Sequence, residues 1–168
     1  MPPLDGKNRV VLVGGAKNQW PMDDLKKYSD PQSELQSVTV PLTNAQIKAV
    51  GTAIPLIAAP GTGKMIDVEK VVLFHDYGTN ALTGNHALSV GWNGATVKAV
   101  ADIAHGDFAL KEADHVYVAP AAAVTTGVAA NVVNKNLAIK AADDYAGNAG
   151  DDTVWKVTVF YRIVDVPL

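Results

Sequence analysis

Residues 153–166 read TVWKVTVFYRIVDV, and apolar side chains recur there at every second position. The apolar face consists of Trp155, Val157, Val159, Tyr161 and Ile163. The opposite face carries Lys156, Thr158 and Arg162. Because successive side chains of a β-strand point to opposite faces, a period of two indicates a strand with one buried face. The stretch therefore predicts a long strand that covers a hydrophobic core.

Shorter runs upstream show the same strand character. They are Val38–Leu42, IPLIAA (54–59), MIDVEKVVLFHDY (65–77), HALSVGW (86–92), DFAL (107–110), HVYVA (115–119) and NLAIKA (136–141). Within the third run, Val71–Phe74 is apolar on both faces, which predicts a strand covered on both sides. The turn PGTG separates the second and third runs, and this spacing predicts a hairpin of the two.

A single short helix interrupts this pattern. Thr43 or Asn44 suits a helix N-cap before AQIKAV (45–50), and Gly51 suits the C-terminal cap. About eight or nine short strands with one helix predict an all-β protein. The expected fold is an antiparallel β-sandwich of jelly-roll type, formed by residues 38–168 as a single domain.

Residues 1–37 are expected to form an extended N-terminal arm. The run RVVLV (9–13) has strand character, and the following residues are polar and contain two prolines. An apolar strand of this kind can add to the sheet edge of another protein. We therefore expect Val10, Val11, Leu12 and Val13 to dock on a partner, with Trp20 as an anchor.

Composition limits the possible functions. The 168 residues carry a net charge of −3 and contain no cysteine. The absence of a basic cluster argues against binding to nucleic-acid phosphates. The absence of cysteine excludes disulfides and cysteine-ligated zinc. The most apolar region, 116–133, is interrupted by Pro120 and Gly127 and is too weak for a membrane span. We expect no cofactor, no nucleic acid and no membrane partner.

The loop APGTGK (59–64) invites a comparison with phosphate-binding loops. Such a loop reads G-x-x-x-x-G-K-[ST] and opens a helix. Here Ala58 stands in place of the first glycine and Met65 in place of the magnesium-binding hydroxyl, and the following residues predict a strand. The loop is therefore expected to be a turn, and the nucleotide interpretation is disfavoured.

The remaining reactive residues form no catalytic motif. His86 could be a metal ligand, but a hydrogen-bonded core histidine explains it with fewer assumptions. Two acidic groups, Asp143–Asp144 and Asp151–Asp152, do not match a calcium loop. Asp67 and Glu69 are better explained by a solvated strand face than by glycoside hydrolysis. We therefore expect no enzymatic activity.

Tryptophans leave a carbohydrate-binding function open. Trp155 falls on the apolar face of its strand and is expected in the core. Trp92 ends a strand beside Gly91 and is the better candidate for an exposed sugar-stacking ring, although packing is favoured for it as well.

Residues Leu42–Leu82 resemble a family of small β-sandwich proteins encoded among the structural genes of tailed bacteriophages. The shared elements are the helix start Thr43–Ile47, the turn Ala59–Lys64 and the strand end Asp76–Gly78. The C-terminal TVWKVTVFYRIV resembles the closing strand of that family, and the likeness covers about a third of the chain. It implies a capsid decoration, or cement, protein that trimerises, binds the major capsid protein and stabilises the head shell. Such a protein is made in the host cytoplasm and resides on the capsid surface.

The residues themselves also suggest assembly. Segment 116–133 has few charges and small side chains, and such a segment packs well against a neighbouring copy. We expect a subunit interface at Val116, Tyr117, Val118, Val124 and Val128, and a homotrimer would suit threefold symmetry. One alternative is that segment 116–133 and the N-terminal arm both pack on their own domain. Another is that the chain is a carbohydrate- or receptor-binding virion module, as in a head fibre or tail-associated protein.

Overall fold

The structure, a computed structural model, describes residues 34–122, 129–147, 150 and 152–166. Residues Leu35–Leu168 form one compact unit. Most of the predicted arm, including Val10–Val13 and Trp20, lies outside the described residues, as do Val124 and Val128. Among the described residues, no helix has the length and hydrophobicity to span a membrane.

Ten strands and two short helices make up the described fold. The first half contains β1 (Gln36–Leu42), α1 (Asn44–Lys48), β2 (Ile54–Ile57), β3 (Lys64–Asp76), β4 (Leu82–Thr83) and β5 (Leu88–Gly91). The second half contains α2 (Trp92–Ala95), β6 (Val97–Lys98), β7 (His115–Pro120), β8 (Leu137–Ala141), β9 (Ala146–Gly147) and β10 (Val154–Asp165). The all-β prediction is therefore confirmed.

The strands form two four-stranded antiparallel sheets and one small pair. The first sheet has the order β1-β10-β3-β7, the second has the order β2-β8-β5-β6, and β4 pairs with β9. The first strand lies beside the last in one sheet, and the second lies beside the next-to-last long strand in the other. Apart from the small β4–β9 pair and the β5–β6 pair, which stays within the second sheet, successive strands alternate between the two sheets as in a jelly roll, and the predicted fold class is confirmed.

The pairing of β3 with β10 forms the centre of the first sheet. Leu73 lies opposite Val157 and Val71 lies opposite Val159, and all four side chains are fully buried. They join one core cluster with buried side chains of the second sheet, which include Leu88, Val90, Leu137 and Ile139. The period-two pattern that predicted β10 therefore marks the inner face of the sandwich.

The predicted hairpin around PGTG is wrong. β2 pairs with β8 in the second sheet, whereas β3 pairs with β10 and β7 in the first. Turn residues were present, but a turn signal does not state whether the chain returns to the same sheet or crosses to the facing one. Here the loop crosses between sheets, with Gly61 at φ +106° and Gly63 at φ +73°.

The predicted helix forms at the expected place. Thr43 is the N-cap, and its hydroxyl accepts from the Gln46 backbone N–H while the Gln46 side chain accepts from the Thr43 N–H. This capping box satisfies two N–H groups at the helix start. The prediction for the C-terminus is wrong, because Ala49 is the C-cap. Gly51 instead contacts the 143–144 backbone so closely that a Cβ there would lie 2.9 Å from Asp143 C.

Two further strand predictions are corrected. Residues 107–110, expected as a strand, continue a 3-10 turn at His105–Asp107, and Phe108 inserts into the core. The segment Val71–Phe74 is covered on one face only: Val71 and Leu73 are buried, whereas Val72 and Phe74 are partly exposed. Apolar residues on both faces of a strand therefore do not here mean that both faces are buried.

The two faces of β3 can be separated by mutation. Leu73→Ala removes a fully buried side chain, so we expect it to lower the free energy of unfolding by about 2–5 kcal/mol. Val72→Ala, the matched control on the outer face, should cost about 1 kcal/mol or less. Urea unfolding at one protein concentration measures both. Equal losses for the two variants would contradict the assignment of the faces.

Candidate interaction surface

The outer face of the first sheet carries a row of β-branched side chains. The strand registers place Thr39, Thr158, Val72 and Val118 side by side across all four strands. The hydroxyls of Thr39 and Thr158 are 2.8 Å apart and hydrogen-bonded. We call this set the β-branched row. It forms an even, weakly polar strip at the middle of the sheet.

Aromatic rings and lysines flank the β-branched row on both sides. On one side the adjacent register positions are Lys156, Phe74 and Val116, and on the other they are Phe160, Lys70 and Pro120. The Nζ atom of Lys70 lies 4.5 Å from the centre of the Phe160 ring, and that of Lys156 lies 5.3 Å from the Phe74 ring. These cation–π contacts keep the rings partly covered. An apolar centre with charged groups beside it is typical of an interaction surface.

Strand β7 exposes the most apolar part of this face. The side chain of Val116 is 54% exposed and that of Val118 is 56% exposed. The third interface residue predicted in this strand, Tyr117, lies opposite Leu73 and packs against the core instead. The period of two explains the division, because neighbouring residues of a strand point to opposite faces.

The backbone of β7 is open on its outer side. Ala121 donates its N–H to the carbonyl of Glu69 at 3.1 Å. Hydrogen-bonded and non-hydrogen-bonded pairs alternate along an antiparallel ladder, so Tyr117 and Ala119 bond to β3 while Val116 and Val118 direct their N–H and C=O groups away from it. Within the described ranges, no strand pairs with this side of β7. Sheet edges of this kind accept strands from other chains.

The glycine-rich loop is used internally. The N–H of Gly61 donates to Asn134 Oδ1 at 3.0 Å, and the Val166 N–H donates to the Gly63 carbonyl at 2.7 Å. The Nζ atom of Lys64 lies 3.6 Å from Asp165 Oδ1. Residue Lys64 begins strand β3 rather than a helix. A phosphate site needs free N–H groups at a helix start. The prediction of a structural turn is therefore supported.

Trp92 is not an exposed platform. Its side chain is only 2% exposed, and its Nε1–H donates to the Ile66 carbonyl at 2.9 Å. Trp92 begins α2, and the preceding Gly91 lets β6 approach closely: a Cβ at Gly91 would lie 1.9 Å from the Val97 carbonyl oxygen. The packing favoured for Trp92 is thus confirmed, the sugar-stacking alternative loses its candidate ring, and the core position of Trp155 is confirmed as well.

The acidic residues hold loops together. Asp144 accepts from the Gly51 N–H at 2.9 Å, and Asp152 accepts from the N–H and hydroxyl of Thr79, each at 2.9 Å. Glu69 forms an ion pair with Arg162. Asp151 lies outside the described residues. Among the residues that the structure describes, no group of three or more acidic or histidine side chains is arranged to hold a metal ion.

One small surface cavity lies on the outer side of the second sheet. Its volume is about 260 Å³, and its polar lining residues are Ser89, Asp102 and Lys140. Asp102 is already engaged, since it accepts from Ser89 at 2.7 Å and pairs with Lys98. The cavity is smaller than the roughly 300–1,000 Å³ of most small-molecule sites.

His75 is a buried histidine near the end of β3. It is 1% exposed, packs against the rings of Tyr77, Phe108 and Trp155, and places Nδ1 3.1 Å from the Phe108 carbonyl. A carbonyl accepts only, so Nδ1 carries the proton. Burial lowers the pKa of His75, although the Phe108 carbonyl and Asp114 oppose this shift. Nε2 of His75 and Nε1 of Trp155 have no hydrogen-bond partner among the described residues.

His86, the other histidine considered from the sequence, is partly exposed. Its ring lies edge-on to that of Tyr145 with 6.0 Å between centroids, and its carbonyl accepts from the Tyr145 hydroxyl. It therefore has a packing role in the described structure. The β-branched row, by contrast, was missed by the sequence analysis, because only the register brings its members together.

Comparisons with known proteins give fold-level likenesses only. No family model and no curated protein matches the sequence. One chain of the capsid of Ralstonia phage GP4 aligns at 18% identity and a TM-score of 0.47, covering 77% of this chain and 84% of that chain. A chain of the cyanophage Pam1 capsid asymmetric unit aligns at 18% identity and a TM-score of 0.42, covering 99% of this chain and 100% of that chain. Because both TM-scores lie below 0.5, these likenesses assign no function to this chain.

The buried state of His75 predicts a specific pH dependence. The lowered pKa means that below the ordinary value of 6.5 the unfolded chain takes up a proton that the folded chain does not. The contribution of His75 to stability is therefore complete above about pH 6.5 and is lost as the pH falls towards the folded-state pKa. We expect the wild type to lose more stability between pH 7.5 and pH 5 than His75→Gln does.

Urea midpoints across this pH range measure the effect. His86→Gln, which replaces a partly exposed histidine in the same way, is the control for the substitution itself. If His75→Gln kept the pH dependence of the wild type, the titration of His75 would not be its source.

Proposed function

We propose that this chain is a structural protein of the bacteriophage virion, of the capsid decoration or cement type. It forms homotrimers, binds the major capsid protein and resides on the outer surface of the head. The observation that carries the proposal is the outer face of the first sheet, where Val116 and Val118 are more than half exposed beside the β-branched row. Exposed apolar residues grouped on one face mark an interaction site.

The mechanism is added buried surface at the junctions between shell subunits. A stable protein–protein interface buries roughly 1,200–2,000 Å² in total, and a few well-packed anchors supply most of its affinity. A rigid sandwich suits this task because its outer face does not need to reorganise on binding, which lowers the entropic cost. No bond is made or broken in this function, and we therefore infer that the chain is not an enzyme.

Two further features support this proposal over a catalytic function. The glycine loop and the acidic loops are occupied by internal hydrogen bonds. The sequence resemblance of Leu42–Leu82 to phage β-sandwich proteins points to the virion independently of the surface. The carbohydrate-binding alternative lost its main support when Trp92 proved to be buried.

Assembly in solution and on heads provides the test. We expect the purified chain to be a trimer by multi-angle light scattering and to cosediment with mature phage heads. A double variant, Val116→Lys with Val118→Lys, should lower head binding or trimer formation at least tenfold, because it places two charges in the apolar part of the face. A stable monomer that ignores heads would contradict the proposal.

The control variant is Ser37→Lys. Ser37 is exposed on the outer face at the opposite edge of the same sheet, so it adds a charge without touching β7. It should retain at least half of the wild-type binding. Equal losses in the control and the double variant would indicate a general charge effect rather than a contact through β7.

A further inference from the structure

The open edge of β7 has the properties of a strand acceptor. Val116 and Val118 direct their N–H and C=O groups outward, and their side chains are half exposed. Pro120 is the next residue of β7 that faces outward in the same way as Val116 and Val118. It lacks an N–H group and therefore limits the open edge at one end. Beyond it, Ala122 donates its N–H to the Ala99 carbonyl at 2.8 Å, so the edge is already paired there. The acceptor segment is therefore short, which suits a strand of four or five residues.

We propose that this edge binds residues 9–13 of a second copy of the chain as an added β-strand. This inference rests on the proposed trimer, and it specifies the contact between neighbouring copies in that trimer. It also makes a neighbouring copy, rather than the shell protein, the partner of Val10–Val13. β-Branched pairs across neighbouring strands stabilise a sheet, and alternate residues of RVVLV would lie beside Val116 and Val118.

The position of the N-terminal segment favours this occupant. Residues 1–33 precede the described chain, which enters the sheet at β1, and β1 lies at the edge opposite β7. A link from one edge of a copy to the other edge of its neighbour is head-to-tail, and such contacts form a closed ring when the rotation between copies closes, as it does in a trimer. The 22 residues between Val13 and Gln36 can span about 75 Å when extended, which is ample for a neighbouring subunit.

Disulfide trapping tests the proposal, because the wild type has no cysteine. Val118→Cys is combined in turn with cysteine at positions 10, 11, 12 and 13, and each full-length double variant is oxidised. A paired strand predicts crosslinking that alternates along the segment, strong at positions 10 and 12 or at 11 and 13 and at least fivefold weaker at the other two. Non-reducing gels should show linked dimers and trimers.

Position 52 provides the matched control. Thr52 is exposed and lies between α1 and β2, a strand of the second sheet, whereas β7 belongs to the first, so Thr52→Cys combined with the same four positions should give little linkage. Links confined within single chains would overturn the exchange between copies. Equal linkage at all four positions, or none, would overturn the strand pairing.

Head binding by the reduced, uncrosslinked protein separates this proposal from the proposed function. If the chain binds heads but shows no alternating linkage, the strand exchange is wrong and the virion function stands. If alternating linkage occurs without head binding, the exchange stands and the decoration function is wrong.

Discussion

The antiparallel ladder between β3 and β10 is the constraint on which the rest of the structure depends. It joins the two longest strands, and its register decides which side chains enter the core. Leu73 and Val157 face inward, whereas Val72 and Thr158 face outward. A shift of one residue would reverse both sets, so burial of the inner face fixes the composition of the outer face as well.

The outer face connects the fold to the proposed function. Its members are mainly β-branched, aromatic and lysine side chains, and they point away from the core of the described domain. Lys70 and Lys156 cover the flanking rings at the centre of the first sheet, whereas Val116 and Val118 at the edge are more than half exposed and have no comparable cover from the residues that the structure describes. Natural edge strands are usually protected by charge, proline or bulges. An edge whose outward residues are valines up to Pro120 is better explained by a partner strand than by solvent.

The polar groups that first suggested chemistry serve the connections between sheets. Because a jelly roll sends successive strands to opposite sheets, its loops are long-range crossings that need anchors. Asn134 and Asp165 hold the glycine-rich loop, and Asp144 holds the turn after α1. A carboxylate that accepts backbone N–H groups in a loop is satisfied without a metal or substrate. The loops thus account for residues that would otherwise suggest a catalytic site.

The sequence by itself determined the β-class, the inner face of β10, the capped start of α1 and the identity of most strands, because these follow from local periodicity and side-chain hydrogen bonds. Tertiary structure alone decided that PGTG crosses between sheets, that Trp92 is buried and donates to the Ile66 carbonyl, and that β7 lies at one edge of the first sheet. It also assembled the β-branched row from four separate strands. The physical reason is that pairing partners and register are set by contacts between residues far apart in the chain, and local sequence does not encode which distant strand will satisfy an edge.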